Sequence, residues 1–345
     1  MSMDLARGRS WRPPKGWRSV TVIESHAAGE PLRVVLDGIA PIPGDTIVAK
    51  RAWAREHLDG MRRGLMFEPR GHADMYGAIV TAPVTPDGDL GVLFMHNEGW
   101  STMCGHGIIA LTTVALETGM LSSREVVRID APAGRITARP KREKGRVASV
   151  AFENVPSFVL GLDQTVDVPG IGPIHYDLAF GGAFYAYVDV SQVGLSLTPA
   201  DYRGLIDVGW RIKKAVMAAR EVPHPFEREL SFLYGTIFTG PALDPGGDSR
   251  NVCVFADGEV DRSPTGTGVS GRVAIEHACG RLRTGAPFVV ESILGTRFVG
   301  RVLRETTFGP HRAVVPEVEG SAHIAGRSEL WFDPRDPLAE GFILR

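Results

Sequence analysis

The chain has 345 residues, of which 43% are hydrophobic and 23% charged, and its formal net charge is −2. This composition excludes bulk disorder, and the balanced charges leave no electrostatic footprint for a nucleic-acid partner. No apolar run approaches the roughly 20 residues that cross a membrane, so no membrane partner is expected. Three cysteines without a CxxC pair predict neither a disulfide framework nor a metal site.

Residues 1–18 are predicted to form a flexible leader. They carry five basic residues and a Pro13-Pro14 pair but no apolar segment, so they lack the features of a signal peptide. We therefore expect a solvated segment, and the reducing cytoplasm as the compartment of the protein.

Short β-branched runs and turn residues predict the elements of the first half. Strands are expected at 19–23, 32–36, 78–82 and 90–95, with a helix at 46–61. An apolar helix is expected at 108–117, because small residues from Cys104 to Gly107 open it and Gly119 stops it. Further strands follow at 126–129, 136–139 and 147–152.

The second half repeats this alternation of strand runs and single helices. A strand at 180–188 is entered through a Gly pair, and then come a helix at 202–219, strands at 233–239 and 251–255, and a helix at 269–277. Strands come in runs, and in each half one helix follows a loop of small residues. This order predicts an α+β fold rather than alternating βαβ units.

One internal repeat links the two halves. Residues 101–110 and 262–271 both contain Cys or Thr followed by Gly-x-Gly and a helix, and Cys104 and Thr265 are 161 residues apart. A repeat at half the chain length predicts two similar domains. The free N–H groups at a helix start favour an anion, so two such starts facing each other are expected to hold one carboxylate.

Cys104 is the candidate reactive group of this repeat. A thiol at a helix N-terminus has a pKa below its usual value of about 8.5, which predicts thiolate near neutral pH. Cys253 lies in an apolar strand and Cys279 near a helix end, so both are expected to be ordinary small hydrophobes.

The two motifs, Met-Cys-Gly-His-Gly at 103–107 and Asp-Arg-Ser-Pro-Thr-Gly-Thr-Gly at 261–268, make the sequence resemble the proline racemase family. Supporting stretches lie at 26–31, 181–186 and 248–252. The resemblance implies two pseudo-symmetric domains of the diaminopimelate epimerase type, each a strand-rich, barrel-like shell around a central helix. The active site would lie in the cleft between them, without a cofactor. The first domain would comprise 19–160 plus 325–345 and carry Cys104, and the second would comprise 161–324 and carry Thr265.

One departure from the family pattern decides the expected reaction. Racemases and epimerases of this family have cysteine at both motif positions, whereas this sequence has Thr265 at the second. A threonine hydroxyl is far too weak an acid to supply a base at neutral pH. A Cys/Thr pair resembles the dehydratase branch, a hydro-lyase that converts trans-3-hydroxy-L-proline into Δ1-pyrroline-2-carboxylate and water.

The stereochemistry of the substrate agrees with a single base. In the trans isomer the α-hydrogen and the 3-hydroxyl lie on the same face of the ring, so one acid–base group can serve both in a syn elimination. Two alternatives remain: a 4-hydroxyproline epimerase or proline racemase with one thiol base, and a catalytically silent binder of cyclic amino acids.

The resemblance also implies roles for the neighbouring residues. Cys104 and Thr265 would be catalytic, and the substrate would be bound by Gly105, His106, Gly107, Asp261, Gly266 and Thr267, with Asp248 as a weaker candidate. Surface solvation is the favoured interpretation of His26 and Glu30. At least one of Phe184 and Tyr185 is expected to pack in the core rather than wall the substrate. The expected partner is a small cyclic imino acid, and a homodimer is left open.

Overall fold

Strands dominate the fold and enclose two apolar helices. The computed structural model describes residues 3–344. The first part of the chain forms α1 (Leu5–Ser10), β1 (Arg18–Ala27), β2 (Glu30–Asp37), α2 (Ile47–His57), α3 (Asp59–Met66), β3 (Tyr76–Thr81), β4 (Leu90–His96), β5 (Gly99–Ser101), α4 (Gly105–Glu117), β6 (Val127–Ala131), β7 (Gly134–Glu143) and β8 (Arg146–Glu153).

The second part of the chain repeats this order after one extra strand. It forms β9 (Ser157–Val168), β10 (Gly172–Phe180), β11 (Phe184–Asp189), α5 (Tyr202–Ala219), β12 (Leu233–Gly240), β13 (Ser249–Phe255), β14 (Glu259–Asp261), α6 (Gly266–Ala278), β15 (Phe288–Glu291), β16 (Arg297–Phe308), β17 (His311–Gly320) and β18 (Ala322–Phe332). Short 3₁₀ turns lie at Val190–Val193, Pro199–Asp201 and Arg228–Leu230.

Strand pairing in the two parts follows the same pattern. β2 pairs with β3 in parallel, β3 with β4 antiparallel and β4 with β6 in parallel. β11, β12, β13 and β15 repeat these three pairings in the same order and directions. β18 pairs with β1 along its length, and β9 pairs with both β10 and β17. The expected pseudo-symmetric α+β architecture is confirmed.

The domain boundaries remain a prediction. The expected breaks at 160/161 and 324/325 fall inside β9 and β18. β9 pairs with β10 of the second part, and β18 pairs with β1 of the first part. If each strand stays with its partner, the breaks fall slightly earlier, before Ser157 and before Ala322.

The helices α4 and α6 lie inside the strand layer. α4 is almost entirely apolar or small, and α6 is so except at Arg272, Glu276 and His277. Every residue from Gly105 to Leu116 is buried, and most of α6 is buried as well. One hydrophobic cluster contains residues of both helices. A helix that is apolar all round is stable only when it is enclosed, so the two helices form the centre of the fold.

Several predicted elements have different bounds in the structure. The expected helix at 46–61 is wrong in extent, because Leu58 ends α2 and begins α3. The expected strand at 180–188 is confirmed as β11 after the Gly pair but begins later, because Phe180 ends β10 and Gly182, with a φ of +107°, lies in the turn between them. The other predicted strands match observed strands within a few residues, whereas the sequence did not predict β5, β9, β10 and β14.

Residues 3–17 of the predicted leader are largely exposed, and Met1 and Ser2 lie outside the described residues. Asp4 caps α1, and the Trp11 ring lies 5.1 Å from that of Trp331 in β18. Among the described helices none is long and apolar enough to span a membrane.

Candidate active site

The N-termini of α4 and α6 touch at the centre of the molecule. A Cβ atom added to Gly105 would lie 2.7 Å from the Gly266 Cα, and one added to Gly266 would lie 2.8 Å from the Gly105 Cα. Only glycine permits this approach, since it has no side chain. The unpaired N–H groups of both helix starts therefore converge on one point, as the repeat predicted.

A small cavity lies at this point of convergence. The cavity is lined by Tyr76, Met103, Cys104, Gly105, His106, Tyr185, Tyr234, Cys253, Phe255, Asp261, Thr265, Gly266 and Thr267. Seven of the nine residues that the sequence proposed for the site are among these. Cys104 and Thr265, far apart in the sequence, thus share one enclosed space.

Cys104 is the N-cap of α4, and its Sγ accepts a hydrogen bond of 3.2 Å from the Gly107 N–H. Its Sγ also lies 3.3 Å from Nδ1 of His106. Burial raises the pKa of the Cys104 thiol well above its usual value, and the charges of Asp261 and Glu30 raise it further, while the Gly107 N–H opposes them. The expected thiolate near neutral pH is therefore wrong for this structure, because burial outweighs the helix terminus.

Gly107 does not line the cavity but makes room for the thiol. A Cβ atom on Gly107 would lie 2.8 Å from the Cys104 Sγ and 2.6 Å from a ring carbon of Phe94. Gly268 has the matching position in α6, where a Cβ atom would lie 3.1 Å from the Thr265 side chain. Gly107 is thus a supporting residue rather than one that would touch a substrate.

His106 is a neutral, fixed ring. Burial lowers its pKa to about 3, and a hydrogen bond to the Pro31 backbone carbonyl acts in the opposite direction. The ring of Tyr76 meets it edge to face, with the centroids 4.8 Å apart. An imidazole held in this way can donate or accept a hydrogen bond without carrying charge.

Thr265 has a strained backbone. Its φ is +68°. A positive φ is uncommon for any residue other than glycine, and it is rarer still for a β-branched residue such as threonine. Its side chain makes no cap hydrogen bond, and its buried Oγ1 has no hydrogen-bond partner of normal geometry. Strain of this kind clusters at functional sites, where the surrounding structure holds it in place.

Two buried carboxyl groups lie beside the cavity. Asp261 accepts a hydrogen bond of 2.7 Å from the Ser263 N–H, and burial raises its pKa to about 6. Glu30 accepts one of 2.7 Å from the Arg262 N–H. Burial, followed by the Asp261 charge, raises the pKa of Glu30 well above its usual value, while Arg262 acts against the shift.

The expectation that Glu30 is solvated at the surface is wrong. Its side chain is 0% exposed, because Arg262 of the second half of the chain covers it. His26 is only partly buried, and its Nδ1 accepts a hydrogen bond from the Gly29 N–H. The supporting stretch at 26–31 includes Glu30, which is the first residue of the largely buried strand β2.

Asp248 is not among the residues that line the cavity, and its role in substrate binding stays a prediction. It is exposed at the turn before β13, where its carboxylate accepts a hydrogen bond of 2.7 Å from the Val289 N–H. Its own N–H donates to the Val289 carbonyl. These bonds give Asp248 a structural role in joining the turn to β15.

Aromatic residues form the rest of the wall. Tyr185 lines the cavity and its hydroxyl hydrogen-bonds with Thr267 Oγ1 at 2.8 Å, whereas Phe184 packs in a separate hydrophobic cluster. Tyr76 and Tyr234 were not predicted. A repeated Tyr-Gly-x-Ile-x-Thr at 76–81 and 234–239 could have revealed them.

A larger cavity of about 760 Å³ adjoins the small one and shares Met103, Tyr185, Tyr234 and Thr267 with it. Lys213 and Phe232 also line it, so this space connects the buried site with the surface. Among the described residues, no group of three or more His, Cys, Asp or Glu side chains is arranged to hold a metal ion.

The arrangement defines an α+β protein of the epimerase type, with facing helix N-termini in a central cleft. The proline racemase family model matches residues 22–343. A hydroxyproline epimerase from Agrobacterium vitis, solved with bound trans-4-hydroxy-L-proline, superposes with a TM-score of 0.89 at 32% identity, over 96% of each chain. The chain belongs to the proline racemase family.

Relatives with assigned names divide between two activities. A protein from Azospirillum brasilense named trans-3-hydroxy-L-proline dehydratase is 50% identical over 332 residues, which cover 95% of this chain and 99% of the relative. A protein from Burkholderia multivorans named 3-hydroxyproline 2-epimerase has the same identity and coverage.

Proposed function

We propose that the protein is a trans-3-hydroxy-L-proline dehydratase, which releases water and yields Δ1-pyrroline-2-carboxylate. The observation that carries the proposal is the unequal pair in one cavity, with an ionisable thiol at Cys104 and only an alcohol at Thr265. The name of the Azospirillum brasilense relative supports it.

The substrate carboxylate would bind where the two helix starts meet. The backbone N–H groups of Gly105, His106, Gly266 and Thr267 lie in the first turns of α4 and α6. Helix N-termini favour negative charge, and two of them acting on one carboxylate also stabilise the charge that develops when the α-carbon loses its proton.

The substrate ammonium group would bind beside Asp261 and lower the pKa of the Cys104 thiol. After burial, negative charge on Asp261 is part of what keeps the Cys104 pKa high. A cation placed next to this carboxylate offsets that repulsion, so substrate binding would lower the pKa of the thiol. Cys104 would then become a thiolate when the substrate is present.

The elimination would take place on the Cys104 face of the ring. The Cys104 thiolate takes the α-proton, the electrons of that C–H bond form a double bond between C2 and C3, and the C3–O bond breaks. The departing hydroxyl gains a proton and leaves as water. The enamine product then moves its N–H proton to C3, which gives Δ1-pyrroline-2-carboxylate.

The opposite face of the ring would meet Thr265. A hydroxyl group with an alcohol's acidity does not supply a second base at neutral pH, so no proton is delivered to that face. Its hydroxyl lies in the cavity wall beside Asp261 and Cys253, where it could also hydrogen-bond the substrate. Thr265 would therefore bind and orient the ring rather than exchange protons with it.

The direct test is an assay of purified protein with trans-3-hydroxy-L-proline, in which the cyclic imine is trapped as a coloured adduct. The proposal requires a stoichiometric yield of imine without any added cofactor. Absence of imine, together with inversion at Cα, would favour epimerisation instead.

Epimerisation is the second candidate because the Burkholderia multivorans relative is named 3-hydroxyproline 2-epimerase. A one-thiol epimerase or racemase would need Thr265 with a water molecule as its second acid. Incubation in heavy water separates the two reactions. Deuterium at Cα with inverted optical rotation supports epimerisation, whereas trapped imine supports dehydration.

We further propose the reducing cytoplasm as the site of action, since Cys104 must remain a free thiol. The homodimer left open by the sequence remains a prediction, and light scattering on a size-exclusion column measures it. The two-domain division of the chain is likewise proposed, and limited proteolysis near 154–156 and 321 tests it.

A further inference from the structure

A tyrosine on the thiol side of the cavity has no role in the mechanism described so far. Tyr76 stands at the beginning of β3, lines the same cavity as Cys104, and is 4% exposed. Its ring is held on both sides, stacked on His96 with centroids 5.3 Å apart and edge to face with His106 at 4.8 Å. The ring therefore has one fixed position.

Tyr76 and Cys104 line the same cavity, and the Tyr76 ring touches His106 of the thiol motif. Burial dominates the pKa of the Cys104 thiol, and the Tyr76 side chain acts against it by lowering that pKa. Burial dominates the pKa of Tyr76 and raises it well above its usual value, so the hydroxyl keeps its proton at neutral pH. A neutral hydroxyl beside the base is a suitable donor for an oxygen that must leave as water.

The duplication of the chain provides a matched comparison for this tyrosine. Gly77 pairs with Arg33 and Met95, and Gly235 pairs with Tyr185 and Phe255 in the corresponding strands. The residues before these glycines, Tyr76 and Tyr234, are therefore equivalent in the two parts.

The two equivalent tyrosines differ in their surroundings. Tyr76 belongs to the same part of the chain as Cys104, and its ring touches His106 of the thiol motif. The ring of Tyr234 instead stacks on Phe255, with centroids 5.4 Å apart, and meets Tyr185 edge to face. Only one member of the pair is thus anchored to the motif that carries the thiol.

We propose that Tyr76 is the acid of the elimination and donates its proton to the departing 3-hydroxyl group. The inference rests on the proposed dehydratase function and deepens it. Cys104 takes the α-proton, the C3–O bond breaks, and the Tyr76 O–H proton completes the water molecule. The Cys104 S–H then returns its proton to the Tyr76 oxygen, so both groups recover their starting state and no other reactant is consumed.

The elimination needs a base at C2 and an acid at the oxygen on C3, and two separate groups can meet these two positions. The sulfur accepts the α-proton along the C2–H direction, and the departing oxygen on C3 lies to one side of it on the same ring face. A second group next to the sulfur can donate along the C3–O direction without any movement of Cys104. Well-placed acid–base groups each contribute a factor of about 10² to 10⁴ to the rate.

The test compares two leaving groups in the Tyr76→Phe variant. trans-3-Hydroxy-L-proline releases hydroxide, which needs a proton, whereas trans-3-fluoro-L-proline releases fluoride, which does not. In Tyr76→Phe we expect water elimination to fall by at least about 100-fold, and fluoride release and α-hydrogen exchange of L-proline in heavy water to fall less than about tenfold. Tyr176→Phe is the control, because Tyr176 lies in β10 within a separate hydrophobic cluster and does not line the cavity. We expect losses below about tenfold for both leaving groups in that variant.

Each outcome separates the possible roles of Tyr76. Equal loss of water and fluoride elimination would overturn the proposal, because Tyr76 would then act on Cys104 or on the fold. Undiminished water elimination by Tyr76→Phe would also overturn it and leave the dehydratase function intact. If the wild-type protein forms no imine, the proposed function itself fails, and the acid role of Tyr76 fails with it.

Discussion

The helix starts at Cys104 and Thr265 share the Gly-x-Gly pattern but differ in their backbone. Cys104 is extended, with a φ of −146°, and its sulfur folds back onto the Gly107 N–H. Thr265 has a φ of +68°, and its hydroxyl caps nothing. In the proposed mechanism, the duplicated helix starts bind the substrate carboxylate from both sides. Cys104 and Thr265 make the two sides chemically unequal, and this difference would limit proton transfer to one face of the ring.

The largest effect should follow removal of the thiol. In Cys104→Ser we expect dehydration to fall by at least about 1,000-fold, since an alcohol is far too weak an acid to replace the thiolate as the base. Imine trapping measures the loss, and Cys279→Ser serves as the control because Cys279 is exposed. Comparable activity in both variants would show that the thiol is not the base.

Removing the charge of Asp261, beside which the substrate ammonium group would bind, should have the next largest effect. In Asp261→Asn we expect KM for trans-3-hydroxy-L-proline to rise by about 10- to 100-fold, because a charged hydrogen bond is replaced by a neutral one. Steady-state kinetics give KM and kcat separately. A fall in kcat with unchanged KM would instead place Asp261 in the proton-transfer step.

Placing a thiol at both Cys104 and Thr265 should add a second reaction, inversion at the α-carbon. In Thr265→Cys we expect exchange of the α-hydrogen with inversion, because a second thiol faces the α-carbon, and we expect dehydration to fall by about tenfold. Proton NMR in heavy water combined with chiral chromatography detects both changes. If no exchange with inversion occurs, residue 265 does not face the α-carbon.

The pH dependence should reflect Asp261. Burial raises its pKa to about 6 in the free protein. Protonation below that pH removes the charge that holds the ammonium group, so kcat/KM is expected to fall as the pH drops through about 6. In Asp261→Asn this acidic limb should be absent. A wild-type profile that is flat from pH 5 to pH 7 would contradict the assignment.

The smallest effect concerns the fold rather than the reaction. Glu30 is fully buried and its pKa is raised well above the usual value, mainly by burial. A neutral residue of similar shape should therefore be tolerated, so Glu30→Gln is expected to change Tm by only a few degrees. Thermal unfolding measures this, with Glu30→Ala as the comparison, since a cavity there should lower Tm further.

The repeat allowed the sequence to predict the centre of the site but not its surroundings. Cys104 and Thr265 meet because each begins one of two equivalent helices, and this follows from the spacing of the motifs. The expected helix starts at 108 and 269 were three residues late, because glycine has a low intrinsic preference for helices. In this fold Gly105 and Gly266 begin the helices because their close contact requires the absence of a side chain.

Burial could not be deduced from local sequence. The thiol was expected to ionise easily because a helix start was visible, whereas the enclosure that raises its pKa depends on residues far away in the chain. Glu30 was assigned to the surface for the same reason, since Arg262, which covers it, lies 232 residues later. Asp248 belongs to the supporting stretch at 248–252, and its carboxylate accepts a hydrogen bond from the backbone of β15, a partner that its local sequence does not reveal.

The most direct test of the one-sided site is the relative turnover of trans- and cis-3-hydroxy-L-proline. Only the trans isomer carries its α-hydrogen and its hydroxyl on the same face. We therefore expect imine to form from the trans isomer at a rate at least about 100-fold above that from the cis isomer. Equal rates for the two isomers would contradict the single-face mechanism.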